Sequence, residues 1–331
     1  MEGSTKKAAD LIEKLGDRLE EHKVMRQYTY LGIGGVADFF YEAKTAFELI
    51  KAVNAAFELD IPYFILGNGS NIIFSDYGFG GLVIKNSSSN ITFMKDESQV
   101  IVDSGFSIKR LIAESSSNDL SGLEFLYGVP GTVGGAVCSN IGAFGLSIGD
   151  FVRSAAVLIK DADDNKLKII QLDRDWFDFS YRQSKLKSNF KYPPVILTVK
   201  IQLAQNRKDE IIRRLQDFKK RRESSQPLNE KAISIFKNPQ WEELIRFPGK
   251  GTKNMPEFVR ERTAGYLLEK SEVKKIKNKV VKVWAKHANF LINNNDASAK
   301  DFKEMIDLMK KMVDEKHKVT LEEEVQFIGQ W

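Results

Sequence analysis

The sequence predicts an α+β fold of more than one domain, on three observations. Strand-like and helix-like segments follow one another without the regular strand–helix alternation of a doubly wound sheet. Near residue 205 a strand-rich half gives way to a half of long, charged helices. The chain has 331 residues, about twice a typical 150-residue domain, so two or three domains with a sizeable core are expected.

The elements read as follows. VADFFYEA is a strand, TAFELIKAVNAAFELD an amphipathic helix, and IPYFILGNGSNIIFSD a strand, a glycine turn and a second strand. GLVIK, NITFMKD and SQVIVDSG continue the strands, SIKRLIAESS is a helix, and AAVLIKDADDNKLKIIQLD is a hairpin whose DADDN supplies the turn. PPVILTVKIQLA is a strand with its prolines at the entry, where a missing N–H costs least. Helices are expected at 208–224 and 297–317, with HANFLINNN as a strand between them. Asp296 or Ser298 caps the last helix, and Lys316, His317 and Lys318 suit the negative end of its dipole.

Composition removes several classes. Hydrophobic residues at 42%, charged residues at 29% and 8 prolines describe a globular chain. No apolar run approaches the ~18 residues of a membrane span, and the N-terminal stretch lacks the apolar centre of a signal peptide, which points to a cytoplasmic protein with no membrane partner. Cys138 is the one cysteine and His22, His287 and His317 lie far apart, so no disulfide and no metal site are expected. The net charge of +5 allows anionic partners without requiring them, and no nucleic acid is expected. In KDEIIRRLQDFKKRRESS, Ile211, Ile212, Leu215 and Phe218 keep helical spacing, which assigns the basic residues through Arg222 to the solvated face. In KKIKNKVVKVWAKH, Lys274 to Lys286 surround Trp284, and both a solvated surface and an anion-binding face stand as readings.

Three glycine-rich segments follow or join the strands: GIGGVAD, GNGSN and GVPGTVGGAVCSNIGAFG. Glycine lets backbone N–H groups approach a ligand closely, and successive amides form a nest for a pyrophosphate. Neither G-x-G-x-x-G nor G-x-x-x-x-G-K-[ST] is present; after Gly67 and Gly69, Ile72 stands where a third glycine belongs. A Rossmann dehydrogenase and a P-loop enzyme are both disfavoured.

The succession YTYLGIGGVADFF, ILGNGSNIIFSD, GLEFLYGVPGTVGGAVCSNIGAFG, FSYRQS, RRESSQP, SIFKNP, AGYLLE, HANFLINN and LEEEVQFIG resembles the UDP-N-acetylenolpyruvoylglucosamine reductase family over roughly residues 26–329. The resemblance implies a two-part FAD-binding fold of the vanillyl-alcohol-oxidase type plus a C-terminal α+β substrate-binding domain. Its parts would be 1–85 and 86–205 for FAD, 206–317 for substrate, and 318–331 as a strand returning to the active site. It implies non-covalent FAD held by Gly34, Gly35, Gly67, Asn68, Gly69, Ser70, Asn71, Gly128, Pro130, Gly131, Gly134, Gly135, Ala136, Asn140, Gly142 and Ala143. With 51 residues between Arg182 and Ser234, the chain is similar to the shorter type of the family, without the extra tyrosine loop.

The same resemblance implies that electrons pass from NADPH to the flavin and then to the vinyl carbon of an enolpyruvyl ether on a UDP-sugar. Negative charge builds on the substrate carboxylate. An arginine pairs with it, a protonated carboxylic acid hydrogen-bonds it, and a hydroxyl protonates the neighbouring carbon. By match to YR-x-S, SxFKNP and LxxEV these are Arg182, Glu324 and Ser234, with Tyr181, Ser184, Lys237, Asn238 and His287 around the substrate. A lone histidine is more often structural, so His287 has the alternative of orienting backbone.

Two departures from the family pattern fall in the substrate half. Ile233 stands where a glycine usually precedes the serine, and a β-branched residue resists positive φ, so a reshaped serine loop is expected. The stretch between Pro239 and Ala264 is long, and SEVKKIKNKVVKVWAKH replaces a glycine-containing turn before the histidine. Another flavoenzyme on the same scaffold, or a binding protein without turnover, are the alternatives; a monomer or weak oligomer is expected.

Overall fold

The computed structural model describes residues 2–161, 163–228, 230–239, 261–294 and 296–331. The long stretch after Pro239 therefore lies largely outside the described residues.

The first sheet pairs Leu19–Val24 antiparallel with Val36–Ala43, which lies parallel to Phe79–Asn86, itself parallel to Tyr63–Leu66. Its parallel pairs need crossovers, and the helix Ala46–Glu58 supplies one. Thr45 starts that helix by accepting from the Glu48 N–H, while Glu48 accepts from the Lys44 N–H. Leu49, Ala52, Val53 and Ala56 pack on Tyr41, Leu82 and Ile84. A further helix, Glu2–Leu15, buries Leu11 and Leu15 in the same cluster.

A second sheet, antiparallel throughout, runs in the order Leu167–Asp173, Val152–Lys160, Val195–Gln202, Gln99–Asp103, Ile91–Met94. The expected hairpin is its edge. Leu158, Val195 and Leu197 from this sheet join the first sheet's core, which fastens the two parts together. On its other side Phe106, Phe125, Val133 and Phe177 are fully buried, with Leu215 and Phe218 of the helix Lys208–Ser225 against them.

The third sheet is small: Ala232–Ser234 and Val281–Val283 flank Phe290–Asn293, all antiparallel. The helix Ala299–His317 covers it with Phe302, Met305, Ile306, Met309 and Val313. Ile233 sits inside the first of these strands, 3% exposed and paired with Leu291, and its φ is not positive. The reshaped serine loop does not arise, because an extended strand in an apolar core is where a β-branched residue fits best.

Two contacts carry the third domain back to the first. Gln326–Ile328 pairs in parallel with Ile72–Phe74. Ser298 forms a capping box with Asp301 at the start of the last helix, and Asp76, from the first domain, accepts from the next two amides, Ala299 N at 3.0 Å and Lys300 N at 2.9 Å. Leu31, Ile33 and Ile73 complete the seam inside the third domain's core. A helix-capping carboxylate is worth about 1 kcal/mol. Asp76→Ala is therefore expected to lower the thermal midpoint by about 1 to 3 °C, with Asp76→Asn in between. Equal midpoints for all three proteins would show that the cap adds nothing to docking.

Candidate active site

The three glycine segments converge. The Tyr30 N–H donates to Gly69 O at 2.9 Å, and the Gly35 N–H to Ser75 O at 2.9 Å. Gly69 has φ +59°, and a Cβ there would stand 2.4 Å from Tyr28 O, so only glycine lets the two loops touch. A Cβ on Gly67 would meet Thr132 Oγ1 at 2.5 Å, which sets the GNGSN loop against the start of the helix Val133–Cys138. Gly134 lies against Ser104.

Other glycines have room for a side chain. The atom nearest an added Cβ is 3.8 Å away at Gly131 and 3.4 Å away at Gly135. The protein's own packing does not require glycine there, whereas a ligand lying flat on this surface would. The backbone N–H groups of Asn68, Gly69 and Ser70 donate to no protein acceptor among the described residues. Beneath the loop the Lys85 ammonium donates to Gly67 O; burial pulls it below the ordinary lysine range, opposed by Glu42. Uncommitted amides, a buried cation and an uncrowded glycine floor fit the pyrophosphate and flat ring of FAD.

Beside this cradle lie the residues expected to do chemistry. Arg182 has φ +57° and is held there by its neighbours. Asn140 Nδ2 donates to Ser180 O at 2.7 Å, Ser184 Oγ to Cys138 O at 2.7 Å, and Lys187 Nζ to Arg182 O at 3.1 Å. The Arg182 guanidinium sits by Gly142 and over the Tyr181 ring, with Nε 3.0 Å from Glu324 Oε1 and both side chains largely buried. Burial works against the Arg182 charge, but Glu324 and Tyr181 beside it together raise its pKa above the ordinary arginine value. Glu324 is fixed at both ends of its peptide unit: its N–H donates to Ile235 O at 2.7 Å, and its carbonyl accepts from Asn71 Nδ2 at 3.2 Å. Arg182 and Glu324 thus touch, and Ser234 is one residue from the strand position that receives the Glu324 N–H.

The remaining expected residues fall into two groups. Tyr181 Oη accepts from the Asn238 N–H at 3.3 Å, Asn238 Oδ1 accepts from the Ala264 N–H at 3.0 Å, and Lys237 pairs with Glu322, so these three form one surface. Ser184 is buried with its hydroxyl committed to Cys138 O. His287 packs on Gly265, and its Nδ1 accepts from the Asn289 N–H at 3.2 Å; burial pushes its pKa down, which keeps that nitrogen an acceptor. Asn140 spends its side chain on Ser180 O and Gly149 N, and Gly142 and Ala143 form a short strand against Leu146 and Ser147. Gly128 and Pro130 are exposed on the approach, while Ala136 is buried in the helix that follows.

Arg222 corrects the assignment of its helix's charges to solvent. It is 5% exposed, with Nη2 on Phe125 O at 3.1 Å and Nη1 on Gln226 at 2.6 Å, beside Gly128. Burial first, then the charge of Arg182, lowers it to about 10. The signal was in the spacing: Ile211, Leu215, Phe218 and Arg222 follow one another by 4, 3 and 4 residues, one face of a helix. In the other basic run Lys274 and Lys275 pair with Glu269 and Glu272. No group of residues suited to a metal occurs among the described residues, and none of their helices is long and apolar enough to cross a membrane.

Known proteins resemble this chain over most of its length. Residues 37–163 match the FAD binding domain family, and residues 226–328 the C-terminal domain of UDP-N-acetylenolpyruvoylglucosamine reductase. The reductase of that name from Clostridium novyi (strain NT) is 35% identical over 98% of this chain and 96% of its own length. That of Bacillus subtilis (strain 168) is 33% identical over 96% of this chain and 99% of its own. The crystal structure of UDP-N-acetylenolpyruvylglucosamine reductase from Thermus caldophilus superposes with a TM-score of 0.71 at 27% identity, covering 94% of this chain and 98% of that one. With relatives at this identity over nearly their whole length, an FAD-binding domain followed by the reductase C-terminal domain, and the buried Arg182–Glu324 pair where the two meet, the chain belongs to the UDP-N-acetylenolpyruvoylglucosamine reductase family of flavin-dependent oxidoreductases.

Proposed function

We propose that this protein reduces UDP-N-acetylglucosamine enolpyruvate to UDP-N-acetylmuramate with NADPH, in the cytoplasmic synthesis of peptidoglycan precursors. The observation that carries this reading is the Arg182–Glu324 pair, tied through Asn71 to the glycine cradle and through Ile235 to the strand of Ser234. Bound FAD supplies the two-electron relay between NADPH and the vinyl carbon. Everything else is the work of side chains.

Arg182 Nε lies 3.0 Å from Glu324 Oε1, and its planar guanidinium is suited to a two-point grip on the substrate carboxylate. Glu324, held against the Arg182 guanidinium, borders the same carboxylate and is the group the family resemblance assigns to hydrogen-bond it. Ser234 gives a proton to the carbon next to that carboxylate as charge develops there. Tyr181, Lys237 and Asn238 extend the surface for the UDP-sugar. Arg222 and Lys85, two buried cations beside the glycine loops, favour the anionic groups of FAD over water.

The half-reactions separate these roles. Ser234→Ala is expected to leave NADPH-driven bleaching of the flavin intact and to slow reoxidation by the enolpyruvyl substrate by about 10²- to 10⁴-fold. Glu324→Gln should slow the same step because it removes the carboxylate that pairs with Arg182, and Arg182→Lys should slow it because an ammonium has no planar fork. Equal slowing of both steps by Ser234→Ala would reduce the serine to pocket shape and favour another flavoenzyme reaction. With NADPH and substrate varied together, double-reciprocal plots should be parallel, as for one pocket used in turn; intersecting lines would require two pockets.

The cradle has its own test. Gly135→Val adds bulk where the nearest protein atom to the new Cβ is 3.4 Å away, so the apoprotein should keep its circular dichroism. FAD affinity by fluorescence titration should fall at least about tenfold, the low end of the roughly 1 to 3 kcal/mol that forcing extra bulk into a packed contact costs. An unchanged affinity would place the flavin elsewhere.

A further inference from the structure

We propose that Asn289 is a positioning residue that aims the Ser234 hydroxyl as a proton donor, an inference that rests on the proton-donor reading of Ser234 given above. Asn289 is 5% exposed, at the turn leading into Phe290–Asn293. Its Oδ1 accepts from the Phe236 N–H at 3.0 Å, its Nδ2 donates to Phe236 O at 2.8 Å, and the same Nδ2 lies 3.3 Å from Ser234 Oγ. Its backbone is held as well: the carbonyl accepts from the Ile235 N–H at 3.0 Å, and the N–H donates to His287 Nδ1 at 3.2 Å.

Phe236 fixes which way the amide faces. Turned over, it would set oxygen against the Phe236 carbonyl and NH₂ against the Phe236 N–H, losing two buried hydrogen bonds. The second Nδ2 hydrogen therefore points at Ser234, and Ser234 Oγ is the acceptor of that bond. A hydroxyl has one hydrogen and two lone pairs. With a lone pair engaged by Asn289, the Ser234 hydrogen is not spent on Asn289, and it goes to no other protein acceptor among the described residues.

When the proton moves, the Ser234 O–H bond breaks and a C–H bond forms at the substrate carbon beside the carboxylate. The electron pair stays on Oγ. The resulting alkoxide keeps the Asn289 N–H, now a charge-assisted hydrogen bond stronger than the neutral one it replaces, and takes its proton back from water. Asn289 touches neither substrate nor cofactor in this scheme; it acts through Ser234.

Asn289→Asp keeps the shape and removes the donor, so that the Ser234 hydrogen turns toward the new carboxylate. Expected are an FAD-to-protein ratio close to that of the parent, a lowered thermal midpoint because a carboxylate oxygen now faces the Phe236 carbonyl, flavin bleaching by NADPH within about threefold, and reoxidation by UDP-N-acetylglucosamine enolpyruvate slowed about 10- to 100-fold, the worth of one hydrogen bond to a charged group. The D₂O effect on reoxidation should grow, and in a Ser234→Ala background the same change should cost nothing more. If Asn289→Asp yields no folded protein, Asn289→Ser, too short to reach Ser234, is read the same way. Equal slowing of both half-reactions, no slowing, or a full further loss on top of Ser234→Ala would each overturn the proposal. A Ser234→Ala protein that reoxidises normally would instead bring down the reading on which it rests.

Discussion

Parallel pairing of Gln326–Ile328 with Ile72–Phe74 is the constraint on which the site depends. It closes a loop of some 250 residues and returns the chain's end to the strand that leaves the GNGSN turn. Side chains alternate along a strand, so a slip of one residue in this register would send Glu324's neighbours to the wrong face. In the observed register Asn71 holds the Glu324 carbonyl, Ile235 holds its N–H, and its carboxylate reaches Arg182. The Asp76 cap and the apolar seam of Leu31, Ile33 and Ile73 keep the third domain seated while this happens.

The charges around that junction are unbalanced in a way that suits anionic ligands. Arg182, Arg222, Lys187 and Lys85 are all substantially buried, and burial lowers the last three. Glu324 is the carboxylate that meets Arg182. Leaving cations in a low-dielectric setting costs stability unless something compensates them, and a protein that retains several beside an uncrowded glycine floor is organised for phosphate and carboxylate groups that arrive with its ligands. The stored cost becomes binding selectivity for anions.

Rigidity comes from ordinary parts used in unusual places. Arg182 stands in a left-handed conformation that costs a non-glycine residue roughly 1 kcal/mol or more; Lys187 closes its turn onto the Arg182 carbonyl, and bonds involving Asn140 and Ser184 fasten that turn to the end of the helix Val133–Cys138. Asn289 does the equivalent for the serine strand by mimicking a backbone partner for Phe236. In both cases polar side chains bond to backbone outside the sheets, so residues in turns and at a strand end are held in place.

Much of this was legible in the sequence. Alternating apolar residues marked the strands, the 3.6-residue period marked Ala46–Glu58 and Ala299–His317, and Ser298, which caps the last helix, was one of the two caps expected there. The glycine loops and the matching motifs named Arg182, Ser234 and Glu324, because these signals are local: a turn, a cap or a short motif needs only its own residues. Ile233 was misjudged from the residue type alone, since whether a position needs positive φ depends on the strand it pairs with, here Phe290–Asn293. Arg222 was misjudged because a charged residue is assigned to water until the partner face of its helix is known. Composition, periodicity and motif order thus determined the fold class and the family, and singled out the glycine loops and the side chains proposed to react. The return of the last strand to Ile72–Phe74, the burial of Arg222 and the hold of Asn289 on Ser234 were decided by tertiary structure, because each rests on contacts between segments distant in the chain, which no local pattern encodes.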